Sequence, residues 1–300
     1  MKKLCKEIFI LLGTFLIFVV FIEFRLRNVQ SPIDTLLSKQ SENYSADIVV
    51  IGNSHTGVLI DAEDSVFTKQ SLNFSLSNLE LDDRYKVLKL AVKTGYIKTV
   101  ILGMDADQLG HVSSSNIYDM QLKKYGMPLS ANSLGNRVLS NLNFFRLHLG
   151  FKELLQAIVG GANRENFTVN FIPFTNKQKN DTNACLKRAQ EHSLYGFKNE
   201  NVINNLSILQ RIINLCKEKN IQLLLLQTPK SACYSSGYSN TNIQTALLKI
   251  DSVSSIHKVR FLNYFDNQMF TEDDFTDYDH LNKKGSNKLV NMIKRDIDSD

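Results

Sequence analysis

The chain opens on an unbroken apolar run, Ile8 to Ile22, set between Lys2, Lys3, Lys6 and Glu7 on one side and Glu23, Arg25 and Arg27 on the other. With Phe24 included, the run approaches the roughly 20 apolar residues that span a bilayer. A helix apolar on all sides at a chain end needs lipid around it. No small-residue cleavage site follows, so residues 8–24 are predicted to be an uncleaved transmembrane signal anchor. Three lysines before the run, against two arginines after it, favour a cytoplasmic N-terminus and place the rest on the outer side of the cytoplasmic membrane. Residues 25–46, with the polar stretch QSPIDTLLSKQSENYS, read as a linker.

After residue 46 the rhythm changes. Short apolar runs at Ile48–Ile51, Leu72–Phe74, Thr99–Leu102, Ile221–Pro229 and Val259–Tyr264 are bounded by turn signals and read as strands. Between them lie helical patterns. From Leu81, the residues Leu81, Tyr85, Leu88, Ala91 and Val92 share one side until Gly95 ends the helix. Val202–Cys216 and Leu289–Ile297 are two further helices. Buried strands alternating with helices predict an α/β fold: a three-layer α/β/α domain over residues 47–300, with a mostly parallel, flavodoxin-like sheet. Residues 108–200 break the alternation. They hold helical pieces (Asn136–Leu149, Lys152–Ile158), Gly160-Gly161 and a polar run at Asn176–Asn183. This stretch reads as an insertion or cap over the sheet, and a specificity role and a plain packing role are equally open.

Composition adds little to that picture: 43% hydrophobic and 22% charged residues suit a packed globular domain. The net charge of +5 is spread along the chain without a Lys/Arg block. No nucleic-acid-binding motif accompanies it, so nucleic acid is not an expected partner. Of the four cysteines, Cys5 precedes the apolar run and is not a lipoprotein cysteine. Cys185, Cys216 and Cys233 show no CxxC and no metal-ligand rhythm, and they allow at most one internal disulfide, whose pairing the spacing leaves open.

The candidate chemistry sits at strand ends, where parallel sheets place their sites. The run Ile48–Ile51 stops at Gly52-Asn53-Ser54-His55-Thr56. Either Ser54 or Thr56 caps a helix there, or Ser54 is a nucleophile at the carboxyl end of a strand. Asp105 and Thr228 follow two other strands. Near the C-terminus, Asp277 and His280 stand three residues apart in FTDYDHLNKKGSNKLV, a spacing that puts both on one side of a turn. A carboxylate on one imidazole nitrogen fixes the tautomer and leaves the other nitrogen as a base. Ser54, Asp277 and His280 then make a hydrolytic triad in the order Ser…Asp…His. Asp279 and His55, each adjacent to a triad member, are the poorer acid and base.

Gly52-Asn53-Ser54-His55 and Asp277-Tyr278-Asp279-His280-Leu281-Asn282 resemble the first and last blocks of the SGNH/GDSL hydrolase superfamily. They look closest to its membrane-anchored bacterial branch, which includes proteins of O-acetylation and D-alanylation of cell-surface polymers. The resemblance covers about residues 47–105 and 202–298. It implies Ser54 as nucleophile, His280 as base and Asp277 as orienting acid, with no metal and no cofactor. It further implies an acyl ester of an extracytoplasmic cell-envelope glycan as substrate and a multispanning membrane O-acyltransferase as partner. Asn282 is expected to cap the closing helix, with Gly285 packed closely beside it.

Two blocks differ from the family pattern. The glycine whose N–H helps form the oxyanion hole corresponds to Asn78, a residue that tolerates a left-handed backbone. The family's Gly-x-Asn-Asp is here Gly103-Met104-Asp105-Ala106, with Asp where an amide donor belongs. Gly52, Asn53, Asn78 and Asp105 are therefore the candidate oxyanion or substrate-binding residues. Asp105 can turn its carboxylate away, be protonated by burial or be neutralised by a nearby cation; the first is expected, with the carboxylate on loop amides and the hole left to backbone N–H groups of Ser54 and about Asn78. Asp105→Asn would then keep activity within a few-fold. The second reading is a non-catalytic accessory or carbohydrate-binding protein that kept this fold.

Overall fold

The computed structural model describes residues 44–61, 71–75, 79–111, 181–194, 197–238 and 240–298, together with isolated positions between 7 and 21. The chain divides into two compact units: residues 1–38 with 114–168, and residues 39–113 with 169–300. In the first unit Glu7, Leu11, Gly13–Phe15, Ile17, Phe18, Val20 and Phe21 are helical and exposed. The predicted anchor otherwise lies outside the described residues, as do most of the linker, Asn78, and the helical pieces expected at 136–149 and 152–158. Among the described residues no helix is long and apolar enough to cross a membrane.

The second unit carries a five-stranded sheet: β1 (Tyr44–Ile51), β2 (Ser71–Asn73), β3 (Gly95–Gly103), β4 (Gln222–Gln227) and β5 (Arg260–Asn263). The spatial order is β2-β1-β3-β4-β5, and every neighbouring pair is parallel. This is the flavodoxin-type doubly wound order, whose winding reverses between β1 and β3. The loops leaving those two strands border the crevice where such sheets bind ligands. They are the loops of Asn53-Ser54-His55 and Met104-Asp105.

The strands are apolar because both faces are covered. Val50, Ile101, Leu224, Leu226 and Leu262 form one cluster with Leu289, Val290 and Ile293 of the closing helix. The residues between them on the strands, Val49, Ile51, Val100, Leu102 and Leu225, are fully buried too. Helices Leu81–Thr94 (α2) and Asn199–Glu218 (α5) pack on β1, β3 and β4. Each such aliphatic side chain withdrawn from water contributes about 1.5–3 kcal/mol. Asn240–His257 (α7) packs on β5, and its Ile243, Ala246 and Ile250 are buried.

Three short helices follow strands: Ser54–Gly57 (α1), Ala106–Gly110 (α3) and Ala232–Gly237 (α6). Thr182–Leu194 (α4), inside the stretch read as an insertion, packs against α6. The Cys185–Cys233 disulfide joins these two helices, while Cys216 on α5 is free and buried. The last helix, α8, runs Lys283–Asp298 and starts six residues before the predicted Leu289. Its start is fixed by Asn282, whose side-chain oxygen accepts from the Gly285 N–H at 3.0 Å, as the cap expectation required. A side chain at Gly285 would meet the Asp274 carbonyl oxygen at 2.1 Å, so only glycine fits.

Candidate active site

The β1–α1 turn decides how Ser54 is presented. The cap of α1 is Asn53, not Ser54 or Thr56: the Asn53 side-chain oxygen accepts from the His55 N–H at 3.0 Å. Thr56 turns inward and bonds the Asn53 carbonyl (3.1 Å) and the Ser75 hydroxyl (2.9 Å). That close turn needs Gly52, because an added Cβ would lie 2.1 Å from Thr56 Oγ1 and 3.2 Å from the Gly103 Cα. Gly52 thus shapes the turn, and Ser54 alone among residues 51–56 stays partly exposed.

The Asp277–His280 loop sits opposite. An antiparallel bridge between Phe275 and Leu281 pinches its ends, and Thr276 N–H donates to the His280 carbonyl at 2.8 Å. Asp277 Oδ1 accepts from the backbone N–H groups of Asp279 (2.9 Å) and His280 (2.7 Å), which locks the turn. Ser231, the cap of α6, donates its N–H to the Tyr278 carbonyl at 3.2 Å and ties the loop to the end of β4.

These constraints bring Ser54, His280 and Asp277 together. His280 Nε2 lies 2.9 Å from Ser54 Oγ. His280 Nδ1 lies 2.8 Å from Asp277 Oδ2 and 3.0 Å from Oδ1. A carboxylate only accepts, so Nδ1 carries a proton and Nε2 faces the hydroxyl. Burial disfavours the imidazolium, but the charge of Asp279 and the hydrogen bond to Asp277 outweigh it and raise the pKa of His280 to about 9.

Asp105 has other partners than the loop amides expected for it. It is buried, and its Oδ2 accepts from Asn53 Nδ2 at 2.8 Å and lies 2.9 Å from His55 Nδ1. Its Oδ1 accepts from Gln227 Nε2 (3.0 Å) and Thr228 Oγ1 (3.2 Å) and lies 3.5 Å from Lys230 Nζ. Burial opposes its charge, yet Lys230, then His55, then Arg84 hold the carboxyl well below its usual range. Asp105 is an ionised hub joining the ends of β1, β3 and β4, neutralised by a cation in place of backbone donors. A neighbouring cation is one of three possibilities open from sequence and not the expected one; the fold supplies it as Lys230, 125 positions further along the chain. Asn53 donates one amide N–H to Asp105, its Nδ2 also lies 3.3 Å from His55 Nδ1, and its oxygen accepts from the His55 N–H; ionised Asp105 offers no donor.

The second histidine and second aspartate complete the network. His55 Nε2 is 2.9 Å from Asp279 Oδ2, and the His55 and His280 ring centres are 4.6 Å apart. Asp279 Oδ1 accepts from Arg188 Nε at 2.8 Å and Oδ2 from Arg188 Nη2 at 3.3 Å. Burial opposes the Asp279 charge, but His280 and His55 pull its carboxyl well below the usual range. Arg84, also buried, ties α2 to the end of β3 by donating Nη1 to the Gly103 carbonyl at 2.6 Å. Burial lowers its pKa to about 10. Only a buried arginine on an otherwise amphipathic helix could have signalled Arg84, and nothing local signalled Arg188.

His55, Asp279 and His280 each offer a ligand atom within 4.8 Å of the others. Those atoms are already engaged: Asp279 with Arg188, His55 Nε2 with Asp279, and both His280 nitrogens with Asp277 and Ser54. Arg188 supplies the positive charge that an ion would bring there.

A protein-family model matches residues 77–300, which include Asp105, Asp277, Asp279 and His280 but not Ser54; the match covers well over half of the chain, which belongs to that family. No curated protein matches the chain. Similar solved structures include a GDSL-like lipase from Bacteroides thetaiotaomicron VPI-5482, 11% identical over 86% of this chain and 90% of the other, at a TM-score of 0.41. Another is the lipase/acylhydrolase from Enterococcus faecalis, 11% identical over 85% and 96%, at a TM-score of 0.44. At that level of likeness the chemistry has to be read from this chain's own side chains.

Proposed function

We propose that the chain is a serine esterase or O-acyltransferase of SGNH type. The observation that carries this reading is the pair of contacts made by His280, with Ser54 Oγ at 2.9 Å on Nε2 and Asp277 at 2.8 Å on Nδ1. In its neutral form His280 takes the Ser54 proton on Nε2 while Ser54 Oγ attacks the acyl carbonyl. The carbonyl π electrons move to the oxygen, giving a tetrahedral oxyanion. Collapse expels the alcohol, which leaves with the proton from Nε2, and the acyl group stays on Ser54. A water or an acceptor hydroxyl then repeats the sequence in reverse and frees the serine. Asp277 steadies the imidazolium formed in each half. Among the described residues the Ser54 N–H has no hydrogen-bond partner and is a donor for the oxyanion. The second donor falls to the neighbourhood of Asn78.

The substrate class we propose is an acyl ester on a cell-envelope glycan, with a multispanning membrane O-acyltransferase as acyl donor. The chain would be held on the outer side of the cytoplasmic membrane by residues 8–24. The Cys185–Cys233 disulfide supports an oxidising compartment. An accessory or carbohydrate-binding role stays the second reading, favoured by one observation: Asp105, which stands where the resemblance puts an amide donor, is ionised and bound inward to Asn53, Gln227 and Thr228. Covalent capture of Ser54 by a fluorophosphonate separates the two readings.

A further inference from the structure

Two aspartates flank His280 in Asp277-Tyr278-Asp279-His280, and both approach the same nitrogen. Asp277 is 2.8 Å from His280 Nδ1, and Asp279 is 3.5 Å away. Adjacency to His280 makes Asp279 the poorer acid by sequence, yet it still comes close to the same nitrogen. A base pressed by two bare carboxylates on one nitrogen would be held as imidazolium and could not take a proton from Ser54. What separates them is the opposite side of Asp279. Arg188 on α4 grips Oδ1 and Oδ2 with Nε and Nη2, and His55 on α1 meets Oδ2 at 2.9 Å. The other side of His55 is fixed on Asp105, which Lys230 neutralises. Asp279 Oδ1 and Oδ2 are thus drawn towards cationic or N–H groups away from the base. Asp277 has no cationic side chain drawing it away among the described residues; its Oδ1 accepts from the Asp279 and His280 backbone N–H groups, which hold it on Nδ1.

We propose that Arg188 and His55 are positioning residues that hold Asp279 off His280, and so decide which aspartate becomes the partner of the base. Their action rests on reading His280 as that base. Arg188 reaches the site from a helix the sequence placed in an insertion. Cys185 lies three residues before Arg188 on α4, and its disulfide to Cys233 fixes the helix beside the loop. The charged and titratable groups facing His280 come from every neighbouring element: Asp277 and Asp279 from its own loop, His55 from α1, and Arg188 and His192 from α4. His192 lies 3.9 Å from Asp279 and in contact with Tyr234 of α6. Asp105 and Lys230 act one layer behind, through His55. The charge of Asp279 is the largest influence raising the pKa of His280, so shielding that charge is where control over the base lies.

The test follows His280 directly by histidine-selective NMR titration of the full-length chain, beside the pH dependence of Ser54 labelling by a fluorophosphonate. Asp279→Asn removes the second carboxylate. It should move the His280 titration down by about one unit or more and raise acid-limb labelling about tenfold or more. Arg188→Gln frees Asp279 towards the base. It should move the titration up and slow acid-limb labelling about tenfold, a change Arg188→Lys should largely reverse. An unmoved titration in Asp279→Asn overturns the proposal even if Arg188→Gln fails to fold. So does a loss in Arg188→Gln that is equal at every pH. If the titrations move as expected but no form of the protein is labelled, the positioning account stands and the esterase reading falls.

Discussion

The Asp105–Lys230 pair yields the sharpest energetic prediction. Both side chains are buried, at 1% and 0% exposure, with 3.5 Å between Oδ1 and Nζ. Removing one partner of such a pair typically costs about 3–5 kcal/mol, because the other charge is left buried and unmatched. The two ends are not equivalent. In Lys230→Met the Asp105 carboxylate keeps Asn53, His55, Gln227 and Thr228, so the cost should fall near the low end, about 3 kcal/mol. In Asp105→Asn the new NH2 must point at donors whichever way it turns, towards Asn53 and His55 or towards Gln227, Thr228 and Lys230. Lys230 is left with the Thr228 hydroxyl at 3.2 Å. That cost should be near the high end, about 5 kcal/mol, a large part of the roughly 5–15 kcal/mol that holds a domain folded. The double variant should recover at least about 1.5 kcal/mol of the summed losses, as contacting residues couple. Urea unfolding at pH 7 followed by circular dichroism measures all three. Asp105→Asn within about 1 kcal/mol of the parent, a surface-like value, would refute the hub. The expectation from sequence concerned the activity of Asp105→Asn; the stability cost is a separate consequence of the structure. That cost comes from the cation and the ring of donors, which only the fold assembles.

Two further outcomes follow from the same geometry. His280 is raised from an ordinary 6.5 to about 9, so its contribution to stability is fully present below pH 6.5 and lost as pH rises through about 9. Unfolding free energies at pH 6.5, 7.5 and 9 should therefore fall more steeply in the parent than in His280→Gln, and parallel lines would contradict the shift. The Cys185–Cys233 bridge spans 48 positions, and its closure should stabilise the chain by about 4 kcal/mol in the loop-entropy account. Thermal melting of a Cys185→Ser, Cys233→Ser variant should show a lowered midpoint, and an unchanged midpoint would argue against the bridge.

Much of the sheet was legible because its signals are local. The β-branched and leucine runs of β1, β3 and β4 are apolar throughout, as burial on both faces demands. The His280–Asp277 pairing was legible for the same reason, being three residues long. Boundaries were less so. β3 begins at Gly95 and not Thr99, because Tyr96 and Lys98 point outward in its first half and dilute the apolar signal. α8 begins at a cap, six residues ahead of its first large apolar residue. α7 went unmarked because exposed Leu248 and Ile256 blur the stripe of Ile243, Ala246 and Ile250. The charge network was illegible: Asp279 meets Arg188 across 91 positions and His55 across 224, and no periodicity encodes such a meeting. The disulfide could not be paired from spacing because Cys216 is an equal candidate until α5 is seen to bury it apart.

The central claim is that His280 activates Ser54 as a nucleophile. Its most direct test is covalent capture: incubate the folded full-length chain with a fluorophosphonate between pH 6 and 9.5, and locate the adduct by peptide mass spectrometry. The account predicts a single phosphonylated residue, Ser54, with a rate that climbs about tenfold per pH unit towards about 9 as His280 loses its proton. It also predicts no adduct in Ser54→Ala and a labelling rate lowered by at least about a hundredfold in His280→Ala. A folded protein that leaves Ser54 unlabelled across that range, or a His280→Ala variant labelled as fast as the parent, would contradict it.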